Sequence, residues 1–245
     1  MKPVVAAAMA AGIAAGAAAL PWYTGYAAEK RFREYVAAEN GDRSNPFTLT
    51  IERYDRGSFR SEAVTRVSAR GDPTAAMWLA SEVHHGPRPS VAWFAVRTIP
   101  QWDPSGQSVS HYYFGTEPAF VIETTSGFDG SHTATFTSPP FDKPLHALPG
   151  AYLAWGGANV RAVFTDDEHV RFDGEFPRIA AAGMGYKAEI AGLKLDGDWR
   201  IAGPRVDWTG ETRLSIRTLA GLGPDSRAAV SNFTATTTQR ALGPR

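Results

Sequence analysis

The sequence predicts a mainly β protein with minor α content: an N-terminal apolar helix, a short amphipathic helix, then a curved antiparallel β-meander, built as an open sheet or sandwich-like. From Phe47 onward, many segments alternate apolar and polar side chains with a period of two, the pattern of strands with one face on a core. These segments are rich in Val, Thr, Tyr, Phe and Trp, and are separated by Gly, Pro, Asp and Ser. We therefore divide the chain into an apolar segment (1–25), a connector helix (26–41) and a β-rich domain (42–245).

The apolar segment runs from Val4 to Leu20 without a polar side chain, close to the lower length limit for a membrane-spanning helix. Trp22 and Tyr23 follow it, and both residue types favour the membrane–water interface. The chain has no Cys, which excludes an acylated lipoprotein anchor. We expect an uncleaved signal anchor that holds the exported C-terminal domain at the membrane. Cleavage of a signal peptide and release of the domain is the alternative.

The connector helix is predicted over Ala27–Glu39, with Asn40-Gly41 as its C-terminal stop. Its apolar face, spaced as in an amphipathic helix, is made of Ala28, Phe32, Tyr35 and Val36. The pattern predicts a helix that docks on the β-rich domain.

The β-rich domain is predicted to be a long antiparallel meander with hairpin turns at Gly-containing positions. The predicted strands are Phe47–Ile51, Phe59–Arg70, Met77–His85, Val91–Ile99, Val109–Gly115, Ala119–Thr125, Thr133–Thr137, Val160–Phe164, His169–Asp173, Tyr186–Leu195, Arg205–Thr209, Thr212–Arg217 and Ala229–Thr237. The predicted turns are Tyr54–Gly57 with Gly57 at positive φ, Asp173-Gly174, Asp196–Asp198 and Thr209-Gly210. Phe141–Gly157 is expected to hold a short helix or a wide loop, and Pro177–Gly185 can also be helical.

Several function classes are disfavoured by composition. Lys+Arg and Asp+Glu are equal at 25 each, without the basic surplus of a nucleic-acid binder. The absence of Cys removes thiol nucleophiles and Cys-ligated zinc. His84 and His85 are adjacent on a strand and point to opposite faces, so they do not form a chelating pair. No local catalytic motif is present, and we expect neither a catalytic residue, a metal nor a cofactor.

Three short motifs follow one another in the first part of the chain: Trp22-Tyr23-Thr24-Gly25, Tyr54-x-Arg56-Gly57-x-Phe59-x-Ser61 and His84-His85-Gly86-Pro87. In this order they resemble the YdgA-like family of Gram-negative bacterial envelope proteins, a family of unknown function. The resemblance implies an uncleaved inner-membrane anchor and a periplasmic domain, and it implies no reaction. We interpret the motif residues as structural, with Phe59 in the core and one histidine buried: Trp22, Tyr23, Gly25, Tyr54, Gly57, Phe59, Ser61, His85, Gly86 and Pro87.

Two features can instead bind a ligand. Arg56 can hold a lipid phosphate or a partner carboxylate, or it can serve only the turn. The aromatic residues exceed what a thin sheet core needs, and a curved sheet lined by them can cradle an acyl chain, or they can simply fill a two-layer core. The candidate aromatic ligand-binding residues are Trp78, Trp93, Trp102 and Tyr113.

Three functions remain open. The first is a non-catalytic envelope protein that acts through protein contacts in envelope assembly or maintenance. The second is a binder of lipid or another apolar ligand, with an aromatic-lined β groove. The third, the least favoured, is a periplasmic hydrolase with a dispersed site. The sequence does not identify the ligand, the partner or the oligomeric state.

Overall fold

The computed structural model describes residues 24–42, 45–85, 92–102, 104–127, 130–145, 148, 150–166, 169–202 and 207–239. They form an open antiparallel sheet of 13 strands with two helices. The mainly β prediction is therefore confirmed, and the open sheet rather than the sandwich is the form observed. The chain divides into two compact units, which we call the first unit (Met1–Asp103 and Thr125–Phe128) and the second unit (Pro104–Thr124 and Asp129–Arg245).

The described residues of the first unit form one helix and four consecutive strands, besides the end of a fifth strand that it shares with the second unit. The four strands pair antiparallel in sequence order. The elements are α1 (24–41), β1 (Phe47–Arg56), β2 (Arg60–Ala69), β3 (Asp72–His85) and β4 (Ala92–Gln101).

The second unit holds the other helix and most of the remaining strands. Its elements are α2 (Pro104–Phe114), β6 (His132–Ser138), β7 (Phe141–Pro144), β8 (Tyr152–Trp155), β9 (Ala158–Asp166), β10 (His169–Gly183), β11 (Tyr186–Ala202), β12 (Asp207–Leu222) and β13 (Arg227–Gln239). β5 (Val121–Gly127) has residues in both units. The strand order is β6-β9-β10-β11-β12-β13. Strand β8 pairs with β7 and with Ile179–Ala182 of β10.

Helix α1 covers one face of β1–β3. Its inward residues are Gly25, Ala28, Phe32 and Val36. Ala28 and Val36 are each 7% exposed, and the Phe32 ring lies 5.9 Å from that of Tyr54. The predicted docking helix is thus confirmed. Tyr35, expected on the same face, is 57% exposed, because at about 100° per residue it falls at the margin of the face centred on Ala28, Phe32 and Val36.

Asn40 closes the helix and also pairs with the edge strand β1. Its side-chain amide donates to the Leu49 carbonyl oxygen at 2.7 Å, and its Oδ1 accepts from the Leu49 N–H at 2.8 Å. One side chain therefore supplies the two hydrogen bonds that a neighbouring strand would make. The outer edge of β1 is satisfied here without another strand.

Replacing Asn40 with alanine is expected to lower the free energy of unfolding by about 1–2 kcal/mol, because it removes two hydrogen bonds to the β1 backbone. Asn40→Asp is the matched variant. It keeps the acceptor for the Leu49 N–H but sets a carboxylate oxygen against the Leu49 carbonyl oxygen at the helix C-terminus, so it should lose at least as much stability as alanine. Urea unfolding measures both. Equal stability of Asn40→Ala and the wild type would contradict this role.

The prediction of a strand at Val109–Gly115 is wrong, because these residues lie in and just after helix α2. The aromatic and β-branched residues of this segment suggested a strand. The helix signals were at its ends: Pro104 opens the helix, and Gly115 follows it at φ +65° with its N–H donating to the His111 oxygen at 2.9 Å. This is the C-terminal geometry of a helix.

Three predicted turns are wrong because their glycines lie inside strands. Gly174 is within β10, Gly197 within β11 and Gly210 within β12. A Cβ at Gly197 would collide with the Phe172 ring, and one at Gly210 would collide with the Asp198 carbonyl oxygen. These glycines therefore give room to neighbouring backbone and aromatic side chains rather than reversing the chain.

Two other segments also differ from expectation. Phe141–Gly157 contains strands β7 and β8, and Pro177–Gly185 continues β10 into the β10–β11 turn. Gly57 does not have the predicted positive φ. A Cβ on Gly57 would instead collide with the Arg60 carbonyl oxygen, so this glycine is needed for close approach.

In the second unit, one row of residues across β10–β13 interrupts all three ladders, which pair normally on either side of it. We call this row the crease; its residues are Pro177, Gly192, Arg217 and Asn232. Gly192 and Asn232 have φ of +63° and +56°, and proline has no N–H to give. We call the part of the second unit beyond the crease, around the β10–β11 and β12–β13 turns, the distal end.

Candidate functional site

The sequence motifs converge in the first unit beneath the start of α1. His85 Nε2 and Ser61 Oγ are hydrogen-bonded at 3.0 Å, and His85 Nδ1 lies 3.5 Å from Thr24 Oγ1. A Cβ on Gly25 would lie 2.7 Å from His85 Cε1. We call Thr24, Gly25, Tyr54, Ser61 and His85 the docking cluster.

The Ser61–His85 pair at the centre of the docking cluster is closed to solvent. Ser61 is 0% exposed and His85 is 4% exposed. A Ser–His hydrogen bond is also the geometry of an activated nucleophile, but a substrate cannot reach a serine that is covered by α1. The pair therefore connects β2, β3 and α1, and the single buried histidine expected from the sequence is His85.

Tyr54 forms another side of the docking cluster. Its hydroxyl oxygen is buried without a hydrogen-bond partner among the described residues. Burial raises the pKa of the Tyr54 phenol, the nearby Ser61 hydroxyl opposes this change, and the Glu29 carboxylate adds to it. The Arg33 and Arg56 cations lower the pKa, but burial has the larger effect and the phenol stays neutral.

Arg56 turns toward α1 rather than toward open solvent. Its Nη1 lies 3.5 Å from Glu29 Oε2, and its Cζ lies 5.8 Å from the centre of the Tyr26 ring. Glu29 is also paired with Arg33 at 2.9 Å. Arg56 thus holds a carboxylate, but the carboxylate belongs to this chain.

Two other motif residues lie outside this buried group. Phe59, expected in the core, is 64% exposed, because it lies in the tight β1–β2 connection, where its carbonyl oxygen accepts from the His85 N–H at 3.1 Å. His84 lies on the opposite face from His85, against Glu82. Trp22, Tyr23, Gly86 and Pro87 lie outside the described residues.

The four aromatic ligand-binding candidates are divided between the two units, three in the first and one in the second. Trp78 in β3 donates its indole N–H to Glu52 at 2.9 Å. Trp93 lies in β4, and Trp102 follows it and is 37% exposed. Tyr113 belongs to α2 in the second unit, where its ring lies 4.9 Å from Phe141.

An apolar cleft of about 550 Å³ lies at the distal end of the second unit. Its floor includes four small residues that occupy one row across β10, β11, β12 and β13: Ala181, Ala188, Gly221 and Ala228. A second row, closer to the turns, is formed by Gly183, Tyr186, Gly223 and Ser226. All eight point to the same side, because residues paired across antiparallel strands share a face.

The wall of the apolar cleft comes from the segment between β7 and β8. Leu145, Leu148 and Ala151 line it. The segment is held by its own backbone: Leu145 N–H donates to the Ala151 oxygen at 2.8 Å, and Ala151 N–H donates to the Leu148 oxygen at 3.0 Å. Ala151 lies so close to the sheet that a Cβ on Gly183 would be 2.8 Å from its own.

Large apolar side chains are exposed around the apolar cleft. Met184 is 82% exposed, Tyr186 63%, Leu222 49% and Leu148 46%. Met184 and Gly185 form the β10–β11 turn with φ of +52° and +81°, a turn that normally takes Asn, Asp or Gly. A methionine in this strained position presents a flexible apolar side chain to the surroundings.

The sequence reasoning missed the apolar cleft. Its signal was the set of Ala and Gly residues beside the two distal turns, but the rows appear only when the register of four strands is known. Within the described residues, no group of three or more His, Asp or Glu side chains is placed to hold a metal ion. In the same residues, neither helix combines the length and apolarity needed to cross a membrane, and Val4–Leu20 lies outside them.

Comparison with known proteins assigns residues 1–242 to a family model described as a bacterial protein of unknown function (DUF945). No curated protein and no solved structure is significantly similar to the chain.

Proposed function

The chain belongs to the DUF945 family of bacterial proteins of unknown function, and we propose that it is a non-catalytic binder of an apolar ligand, specifically of a lipid acyl chain. The observation that carries this proposal is the apolar cleft of about 550 Å³ in the second unit. Its size falls within the range of small-molecule sites, roughly 300–1,000 Å³.

The chemistry of the cleft suits an unbranched hydrocarbon. Small side chains on the floor leave a channel along the sheet, while leucine and tyrosine side chains supply apolar walls. Each methylene removed from water in such a cleft contributes about 0.8 kcal/mol. The exposed Met184 and Tyr186 at the rim favour contact with a lipid surface as the source of the ligand.

We propose that the domain works at the periplasmic side of the inner membrane, held there by residues 1–25. The uninterrupted apolar run Val4–Leu20 and the aromatic pair behind it support this placement. The YdgA-like resemblance of the three motifs points the same way. Tethering would raise the local concentration of lipid around the apolar cleft.

Native mass spectrometry of the full-length, detergent-extracted protein tests the proposal. We expect a population that retains a mass consistent with a lipid or fatty acid, on a protein with the mass of the uncleaved 26.4 kDa chain. Recovery of protein free of lipid under several mild detergents would contradict ligand binding. A mass shortened by the N-terminal segment would contradict the anchor and leave ligand binding to be judged from the adducts.

A second candidate is action through protein contacts in envelope assembly or maintenance. It is favoured by a separate feature, the exposed edge strand β13, and does not depend on the apolar cleft. The hydrolase alternative is less favoured, because the Ser61–His85 pair is buried under α1.

A further inference from the structure

Strand β13 is an open edge. Arg227–Gln239 pairs with β12 on one side, and no described strand lies on its other side. Its residues are exposed along its whole length except Ala235, which is half-buried. An edge of this length displays unpaired backbone N–H and C=O groups that can bind a further strand.

The opposite end of the strand order is protected in the ways that natural edge strands use. On β1, Asn40 satisfies the backbone of Leu49. A register shift interrupts the β1–β2 ladder after Ile51, and four charged residues follow: Glu52, Arg53, Asp55 and Arg56. On β13, Arg227 at its start is the sole charge. The contrast indicates that β13 is left available for pairing.

We propose that residues 233–239 of β13 pair antiparallel with the same residues of a second copy of this chain, around a two-fold axis at Thr236. Asn232, with its left-handed φ of +56°, marks the start of this regular stretch. This inference deepens the protein-contact candidate by naming its partner, and does not depend on the apolar cleft.

The self-pairing is argued from the sequence of the stretch, Phe-Thr-Ala-Thr-Thr-Thr-Gln. With Thr236 opposite its own copy, Thr234 faces Thr238, Ala235 faces Thr237 and Phe233 faces Gln239. Opposed threonines are favourable cross-strand neighbours, and no like charges meet. A two-fold axis perpendicular to the sheet keeps the same face of both copies on the same side.

Cysteine cross-linking of the full-length protein in detergent tests the pairing. The chain contains no Cys, so a disulfide in Thr236→Cys joins two copies at this position. Residues directly opposite in antiparallel strands have Cα atoms about 4.5–5.5 Å apart, which suits a disulfide. We expect a disulfide-linked dimer under mild oxidation.

Ala228→Cys is the matched control on the same strand. In the proposed register its two copies lie about 50 Å apart, at about 3.3 Å per residue, and we expect no disulfide dimer. Thr236→Lys places two like charges opposite each other on an exposed edge. It should leave the fold intact and raise the dissociation constant of the dimer at least tenfold over the wild type. Sedimentation velocity measures this constant.

Four results would overturn the inference. The first three are a wild-type protein that is monomeric at high concentration, dimerisation unchanged by Thr236→Lys, and disulfide formation in Ala228→Cys as fast as in Thr236→Cys. The fourth is a different protein bound at β13 in place of a second copy. Lipid adducts are read in a separate experiment, so failure here leaves the acyl-chain proposal standing.

Discussion

Replacing His85 with alanine is expected to lower the free energy of unfolding by about 3 kcal/mol and to release α1 from the sheet. The side chain is 4% exposed and hydrogen-bonded to Ser61, which is itself 0% exposed. Removal leaves the Ser61 hydroxyl buried without this partner, which costs roughly 1–3 kcal/mol. The space left by the imidazole adds a packing loss of similar size.

The neighbouring His84 provides the control. It lies on the other face of β3 with its side chain 26% exposed, against Glu82, so His84→Ala should change stability by less than about 0.5 kcal/mol. Urea unfolding measures the loss of stability, and limited proteolysis near residue 42 measures the release of α1 from the sheet. Equal losses in the two alanine variants would contradict a specific role for the buried histidine.

Gly25→Val tests the docking of α1 separately from the Ser61–His85 hydrogen bond. A Cβ on Gly25 would lie 2.7 Å from His85 Cε1 and 3.3 Å from the Gly57 carbonyl oxygen, so the helix start must move. We expect early proteolysis after α1, while the Ser61–His85 hydrogen bond can persist. Proteolysis at the wild-type rate would show that α1 is not held by this contact.

The first unit could be predicted well from local signals. The spacing of Ala28, Phe32 and Val36 predicted the face of α1 that docks on the sheet. The alternation of side chains along β3 predicted that His84 and His85 lie on opposite faces. What the sequence could not show was that Gly25, Ser61 and His85 meet. These residues are far apart in the chain, and only the β2–β3 register and the position of α1 join them.

The second unit was harder because its glycines have two different roles. Gly197 and Gly210 look like turn residues in the sequence, but both lie in long strands under neighbouring groups. Gly192 does have a positive φ, yet it lies in the crease rather than in a turn. A single sequence does not distinguish a glycine that bends the chain from one that makes room for an aromatic ring.

Gly221→Phe should weaken acyl-chain binding at least tenfold without weakening the fold. Gly221 is in the floor row of the apolar cleft. A Cβ built there meets nothing within 4 Å, and its φ is not in the left-handed region. A phenylalanine side chain can therefore enter the cleft from its floor and occupy the volume that the ligand needs.

The expected loss of affinity is tenfold or more. Exclusion of about two methylenes from the cleft removes roughly 1.6 kcal/mol, and about 1.4 kcal/mol is a factor of ten in Kd. Stability should be unchanged or slightly higher, since glycine inside a strand is about 0.5–1 kcal/mol less favourable than alanine. Titration with a fluorescent fatty acid measures the affinity, and urea unfolding measures the stability.

Ala229→Phe is the control for this change, because it adds a phenylalanine at an exposed position of β13 beside Ala228 but on the other face of the sheet. It should bind the fatty acid as the wild type does. If both variants bind with wild-type affinity, the ligand does not occupy the apolar cleft. If both lose binding equally, the loss comes from a general change at the distal end. Loss in Gly221→Phe alone, with stability kept, places the acyl chain on the floor row.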